Sequence, residues 1–209
     1  MRVFSIDEIR RSLAGHSAAA IDADAAARAA VAMVLREGSA GPEVLFIERA
    51  ASEGDPWSGH MAFPGGRVEP VDAHARGAAE RETLEEVGLE LSGAERLGRL
   101  DDKPGNPTAR PTLVVSAYVY RVIEAPPLIP NHEVRSAFWF PLFALAEPER
   151  RVTRAVRGLP FPGILVGEPE RHVIWGLTYS FLESFFGALG RPLPNRWVPE
   201  LRAYARGRG

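Results

Sequence analysis

The chain contains no cysteine. That absence excludes disulfides, thiolate zinc sites and cysteine nucleophiles together. Lysine is nearly absent as well: Lys103 is the only one, so arginine carries almost all the positive charge. Neither sign dominates, because 25 Lys and Arg stand against 27 Asp and Glu for a formal net charge of −2. Such a balance leaves no electrostatic footprint for nucleic acid or an anionic membrane. No apolar run approaches the roughly 20 residues of a membrane-spanning helix. The first residues, Met-Arg-Val-Phe-Ser-Ile-Asp-Glu-Ile-Arg-Arg, lack the apolar core of a signal peptide, and the final Arg-Gly-Arg-Gly carries no peroxisomal address. The expectation is a cytoplasmic protein with neither nucleic acid nor membrane as partner.

What is present is ordinary globular material. With 209 residues and 45% hydrophobic content, the chain is long enough for one well-buried domain with short appendages. Residues 1–28 read as an N-terminal helical extension, 29–190 as the main domain and 191–209 as a C-terminal tail. Ser5 with Glu8 three residues on suggests a capped helix at the start, and the alanine-rich 15–28 a linker or second helix. Segments 29–35 and 43–48 read as strands joined by a Gly/Pro turn. Segments 96–100, 112–122, 134–140 and 163–166 read as further strands. Two proline-rich loops, 101–111 and 124–130, interrupt them. Helices are expected over 73–87, briefly over 142–146, over 174–189 and again over 197–206. The aromatic face of 174–189 (Trp175, Tyr179, Phe181, Phe185, Phe186) suits a core better than the seam of a homodimer. Strands on both sides of a central helix, with a second long helix, predict an α/β/α sandwich with a mixed central sheet.

Residues 65–89 carry the chemistry. A Gly65-Gly66 turn and a short acidic loop lead into the 73–87 helix, which carries Glu80, Glu82, Glu85 and Glu86 and stops at Gly88. Carboxylates at i,i+3 and i,i+4 spacing repel one another. Glu82 and Glu86 lie one above the other, with Glu85 beside them, on a face that continues backwards as Ala79 and Ala75. Carboxylates extending an apolar stripe need a counter-charge. Magnesium or manganese suits them, being hard ions that take carboxylate, water and phosphate oxygens. Arg81 can hold a neighbouring carboxylate in bidentate geometry. The Gly66 carbonyl is a plausible further ligand, because a glycine turn lets the main chain approach closely.

This segment resembles the Nudix box, Gly-x5-Glu-x7-Arg-Glu-U-x-Glu-Glu-x-Gly-U with U aliphatic. Gly66, Arg81, Glu82, Glu85, Glu86, Gly88 and Leu89 match. Asp72 stands where the first Glu belongs, eight residues rather than seven separate it from Arg81, and Thr83 fills an aliphatic position. The resemblance implies the Nudix fold, metal binding by Glu82, Glu85 and Glu86, an orienting role for Arg81, and cleavage of a nucleoside diphosphate linked to another group. Its general base is open between Glu85 and Glu133, which precedes a late strand; His60 and His132 are weaker candidates.

The flanks resemble the coenzyme A diphosphatase branch of that family. Gly59-x3-Phe63-Pro64-Gly65-Gly66 matches the end of its signature, and Leu45-Phe46-Ile47-Glu48-Arg49-Ala50 loosely matches the beginning. Ile174-Trp175-Gly176-Leu177-Thr178 resembles its C-terminal helix start. Arg49, Trp57 and Phe63 are the expected substrate contacts, and a small nucleoside diphosphate derivative is the expected partner. Asp55 departs from the branch, which has arginine there. Alternatives are ADP-ribose, a nucleotide sugar or a dinucleoside polyphosphate as substrate, or a non-catalytic module that senses a nucleotide; such a module would be expected to have lost metal carboxylates.

Overall fold

Apolar residues on both faces of two adjacent strands organise the chain. In the computed structural model, which describes residues 5–22, 27–51, 58–105, 112–156 and 159–193, β1 (Ala27–Gly38) and β2 (Gly41–Arg49) form an antiparallel hairpin. Val44, Leu45, Phe46 and Ile47 are all fully buried, so this pair must be covered on both sides. β7 (Leu113–Arg121) runs parallel to β1, while β5 (Glu95–Arg99) pairs antiparallel with β7 and β8 (Val134–Pro141) antiparallel with β2. Short strands β3 (Met61–Ala62), β4 (Gly65–Arg67) and β6 (Lys103–Pro104) complete a mixed sheet of eight among the described residues.

The two-residue alternation of strands divides the core. Ala30, Ala32 and Val34 of β1 face helix α2 (Ala75–Val87), where they meet Ala78, Ala79 and Val87 together with Leu45, Ile47 and Tyr120. Met33 and Leu35 face the other way. There they join Ile9 and Leu13 of α1 (Ile6–Ala14) and Phe181, Leu182, Phe185 and Phe186 of α3 (Gly176–Ala188). The arrangement is the expected α/β/α sandwich. The aromatic face of α3 is core.

Several boundaries differ from expectation. The expected strand over 163–166 is the end of β10 (Leu159–Leu165), the middle of a second antiparallel sheet with β9 (Arg151–Val156) and β11 (Val173–Trp175). β9 escapes sequence reading because Arg-Val-Thr-Arg-Ala-Val does not alternate strictly between apolar and polar residues, and Pro160 and Pro162 obscure its partner. α3 begins two residues later than its periodicity suggests, since Val173–Trp175 pairs with β10 first. The expected short helix after β8 is a 3-10 turn over Leu142–Ala146. Ser5 caps α1 as expected, accepting from the Glu8 amide at 3.2 Å. Residues 16–22 are irregular, and the expected helix over 197–206 lies outside the described residues.

A buried ion pair joins the second sheet to the first. Glu48 on β2 is 2% exposed, and Arg171, just before β11, forks it from Nε at 2.8 Å and Nη2 at 2.7 Å. Ser136 on β8 donates a third hydrogen bond at 2.8 Å. These donors hold the Glu48 carboxyl down at about 2, the Arg171 fork first, against the opposing effect of burial. Among the described residues no helix is long and apolar enough to cross a membrane.

Candidate active site

The acidic helix is anchored at both ends by local chemistry. His74 caps its N-terminus, its Nδ1 accepting from the Gly77 amide at 3.0 Å. Gly88 ends it in the left-handed conformation at φ 69°, which suits glycine. The carbonyls left over in its last turn are met by a neighbouring loop: the Ile129 amide donates to Val87 and the Asn131 amide to Glu86. That docking brings Glu133, on the same loop, towards the helix.

The carboxylates then separate into distinct environments. Glu86 is 1% exposed, accepts from the Gly65 amide at 2.8 Å and has Arg49 Nη1 at 3.7 Å. Burial pushes its carboxyl up to about 8, with Glu82 and Glu133 adding to the rise and the Gly65 amide and Arg49 opposing it. Glu82 is half-buried, and burial raises it too, with Arg81 opposing and Glu85 and Glu133 adding. Glu85 is 53% exposed at the rim. Glu80, counted with the other three in the sequence, turns elsewhere: it accepts from the Tyr120 hydroxyl at 2.8 Å and pairs with Arg76.

Arg81 sits between the loop and the acids. Its Nε and Nη2 donate to Asp72, and Nη1 donates to Glu82 and Glu85 at 3.1 Å each. Asp72 is therefore held below the usual carboxylate range by the Arg81 fork. The longer loop and shorter acid at this position still meet the arginine. Thr83, in a position expected to be aliphatic, is fully buried and satisfies its hydroxyl on the Ala79 carbonyl at 2.6 Å.

The glycine turn is shaped by contact. A Cβ on Gly65, whose φ is 148°, would stand 2.3 Å from the Ala30 carbonyl oxygen and 2.6 Å from the Val31 Cα. A Cβ on Gly66 would stand 2.2 Å from Glu82 Oε1. The turn backbone thus lies directly against the Glu82 carboxylate, close enough for its peptide group to share a ligand with it.

Of the expected site residues, Glu82, Glu85, Glu86, Arg81, Gly66, Glu133 and Arg49 come together around this turn. Phe63 does not: it is 2% exposed and stacks on Phe46 at 5.4 Å, deep in the core with Phe140 nearby. Its place in the Phe-Pro-Gly-Gly run is accounted for by packing, since the next strand turns outward only at Gly65. Trp57 and Asp55 lie outside the described residues. Among the described residues no three acidic or histidine side chains already converge as a closed metal shell. Arg81 Nη1 engages both Glu82 and Glu85, and Glu86 is turned to the Gly65 amide. The donors nonetheless suit a hard divalent ion: Glu82 and Glu86, both raised by burial first and by neighbouring acids, stand beside a backbone turn with no side chain in the way.

The chain is similar to several known proteins. The model of the NUDIX domain matches residues 26–158. An uncharacterised protein of Schizosaccharomyces pombe, C14C4.10c, is 42% identical over 113 residues, covering 52% of this chain and 34% of that protein. The chain thus spans about a third of that relative's length. The human mitochondrial coenzyme A diphosphatase NUDT8 is 30% identical over 198 residues, covering 92% of this chain and 80% of that one. A crystal structure of a MutT/nudix family protein from Enterococcus faecalis shares the fold at TM-score 0.55 and 18% identity, over 97% of this chain and 74% of that one.

Proposed function

The chain belongs to the Nudix family, and on that premise we propose that it is a magnesium- or manganese-dependent diphosphatase acting on a nucleoside diphosphate derivative, with coenzyme A or a CoA-like compound as the first choice. One observation carries the reading: Glu82 and Glu86 meet the Gly65-Gly66 turn, and Arg81 joins Glu82 to Glu85 with its other edge locked by Asp72. The coenzyme A preference rests on the flanking motifs and on the similarity to NUDT8 along nearly the whole chain.

Glu82, Glu85, Glu86 and the Gly66 carbonyl are the groups that would hold the ion. When bound, a divalent ion neutralises phosphate charge and lowers the pKa of an attacking water. The protein's own groups do the remaining work. Arg81 orients Glu82 and Glu85 and is itself oriented by Asp72. Arg49, beside Glu86 at 3.7 Å, is placed to meet a phosphate oxygen once Glu86 is engaged elsewhere. Glu133 faces Glu82 and Glu86 from the opposite loop and is 53% exposed, so its carboxylate can reach a water and accept a proton at an oxygen. It is the base we favour over Glu85, which Arg81 already engages. Trp57 belongs to the same proposal as a further substrate contact.

The test is a panel of coenzyme A, ADP-ribose, NADH and nucleotide sugars, each incubated with the full chain and magnesium or manganese. Release of 4′-phosphopantetheine and adenosine bisphosphate from coenzyme A supports the first choice. Cleavage of ADP-ribose alone shifts the substrate and keeps the reaction. Tight nucleotide binding without turnover of any member points instead to a sensor.

A further inference from the structure

The second sheet carries an aromatic and cationic surface that the diphosphatase reading does not use. Trp175 ends β11 opposite Gly163, and Phe161, two residues before Gly163 on β10, lies opposite Arg154 on β9. Paired residues share a face of a sheet, as do residues two apart on a strand. Trp175, Phe161 and Arg154 therefore stand on one face. Phe161 meets Trp175 with ring centroids 5.7 Å apart, and the Arg154 guanidinium lies 5.4 Å from the indole centroid. His60 approaches Trp175 from the first sheet at 4.6 Å. All four side chains are half-buried, and the other three each contact Trp175.

This surface is continuous with the acidic site. The Arg49 amide donates to the His60 carbonyl at 3.1 Å, one step beyond the Glu48–Met61 pair of β2 and β3. Arg49 and His60 are thus cross-strand neighbours on the face where Arg49 meets Glu86. The order across the surface is Glu86, Arg49, His60, Trp175, Arg154. Neither ring contact is parallel: His60 and Phe161 meet the indole at 64° and 66°. Neither of these two rings lies parallel to the indole as a stacked base would.

We propose that Trp175, flanked by His60 and Phe161 and with Arg154 over one side of its ring, is a nucleobase-stacking subsite that takes the base on the other side. It would take a purine nucleoside that carries a phosphate beyond the scissile diphosphate, with Arg154 as the partner of that outer phosphate. The indole supplies the π-surface, and the guanidinium favours an anion beside the base. The buried Glu48–Arg171 pair positions this surface, because Arg171 leads directly into β11. The inference rests on the diphosphatase reading for the phosphates that bring a nucleotide to Arg49. It adds which end of the substrate is recognised, and by what.

The experiment is calorimetric titration of the full chain, in magnesium buffer, with adenosine 3′,5′-bisphosphate, adenosine and 4′-phosphopantetheine separately. Stacking of a base on an aromatic side chain is worth about ten- to a hundredfold in binding. Trp175→Ala should weaken adenosine 3′,5′-bisphosphate by at least about tenfold, while Trp175→Phe, which keeps a ring and controls for folding, retains most of the binding. Arg154→Ala should weaken the bisphosphate and leave adenosine unchanged. None of the three should alter 4′-phosphopantetheine. The subsite is overturned if the wild-type chain fails to bind the bisphosphate, if Trp175→Ala binds it as the wild type does, or if phosphopantetheine weakens in parallel. Turnover of the substrate panel is scored separately. A chain that binds the bisphosphate through Trp175 yet cleaves nothing sinks the diphosphatase reading alone, and one that cleaves coenzyme A with no dependence on Trp175 sinks the subsite alone.

Discussion

Arg81 holds Asp72 through two side-by-side hydrogen bonds, from Nε at 3.1 Å and from Nη2 at 3.0 Å. The fork leaves one nitrogen, Nη1, to serve both Glu82 and Glu85. Asp72 thereby sets the direction of the guanidinium and, through it, of two carboxylates. Asp72→Ala should release Arg81 to rotate further onto the glutamates. We expect kcat to fall by about ten- to a hundredfold, since misplacing a positioning group costs of that order, with a smaller change in KM. A variant that keeps full kcat means that Arg81 needs no second anchor.

Glu133→Gln removes a proton acceptor while preserving shape. If Glu133 is the base, kcat should drop by about 10² to 10⁴ with KM nearly unchanged. Glu85→Gln, measured beside it, should lose metal affinity as well, read as a higher magnesium requirement. Equal loss of metal affinity in both variants would reassign Glu133 to the ligand set.

Glu86 sits in the core at a cost to the metal-free protein. Its folded carboxyl is raised from the ordinary 4.5 to about 8, so the neutral form is the one the fold favours. Metal-free stability from this group is complete below pH 4.5 and is lost as pH rises through 8. Glu86→Gln should therefore melt higher than the wild type in EDTA at pH 8, by a few degrees, and should no longer gain stability from added magnesium or manganese. Turnover should fall by orders of magnitude. Thermal melts with and without metal settle the point: a variant that is still stabilised by metal shows that Glu86 is no ligand.

The two turn glycines should fail differently on substitution by alanine. At Gly65 the new methyl meets backbone, the Ala30 carbonyl at 2.3 Å and the Val31 Cα at 2.6 Å, in a left-handed region. Neither neighbour can move cheaply, so a loss of about 3 kcal/mol or more is expected. At Gly66 the obstacle is the end of the Glu82 side chain, which can swing away. Gly66→Ala should thus melt within a few degrees of the wild type while losing most of its activity. Chemical denaturation alongside kcat distinguishes the two, and equal melting losses would contradict the assignment.

Glu48 and Arg171 tie the second sheet to the first. The folded Glu48 carboxyl lies at about 2 against an ordinary 4.5, so its contribution is complete above pH 4.5 and is lost as pH falls towards 2. Removing Arg171 takes away the fork and leaves Glu48 with the Ser136 hydroxyl and the more distant Arg135 and His172, at 3.6 and 3.5 Å, so the variant should be less stable than the wild type near neutral pH. The gap between wild type and Arg171→Ala should narrow steadily between pH 4.5 and 2. A gap independent of pH over that interval would falsify the ion pair as its source.

How much of this was legible depends on the range of the interaction. The acidic helix, its Gly88 stop, the Ser5 cap and the side-by-side placement of Glu82 and Glu86 follow from spacing within a few residues. The mixed sheet followed from the alternation of apolar strands with helical segments. Phe63 and Glu48 could not be placed in this way. A phenylalanine beside a catalytic turn reads as a site residue, and nothing local to Glu48 marks it as half of an ion pair. Only the pairing of β2 with β3 and β8 shows the one stacked on Phe46 and the other locked beneath Arg171.

The sequence by itself determined the kind of chemistry, because the turn, the helix and their carboxylates are contiguous and governed by local geometry. Tertiary structure decided the rest. It brought Glu133 opposite Glu86 through a loop that caps the end of α2, turned Glu80 away to Tyr120, and set Trp175 next to His60 from a strand more than a hundred residues distant. Those contacts depend on backbone hydrogen bonds and packing between segments far apart in the chain, and no residue pattern within one segment encodes its partner.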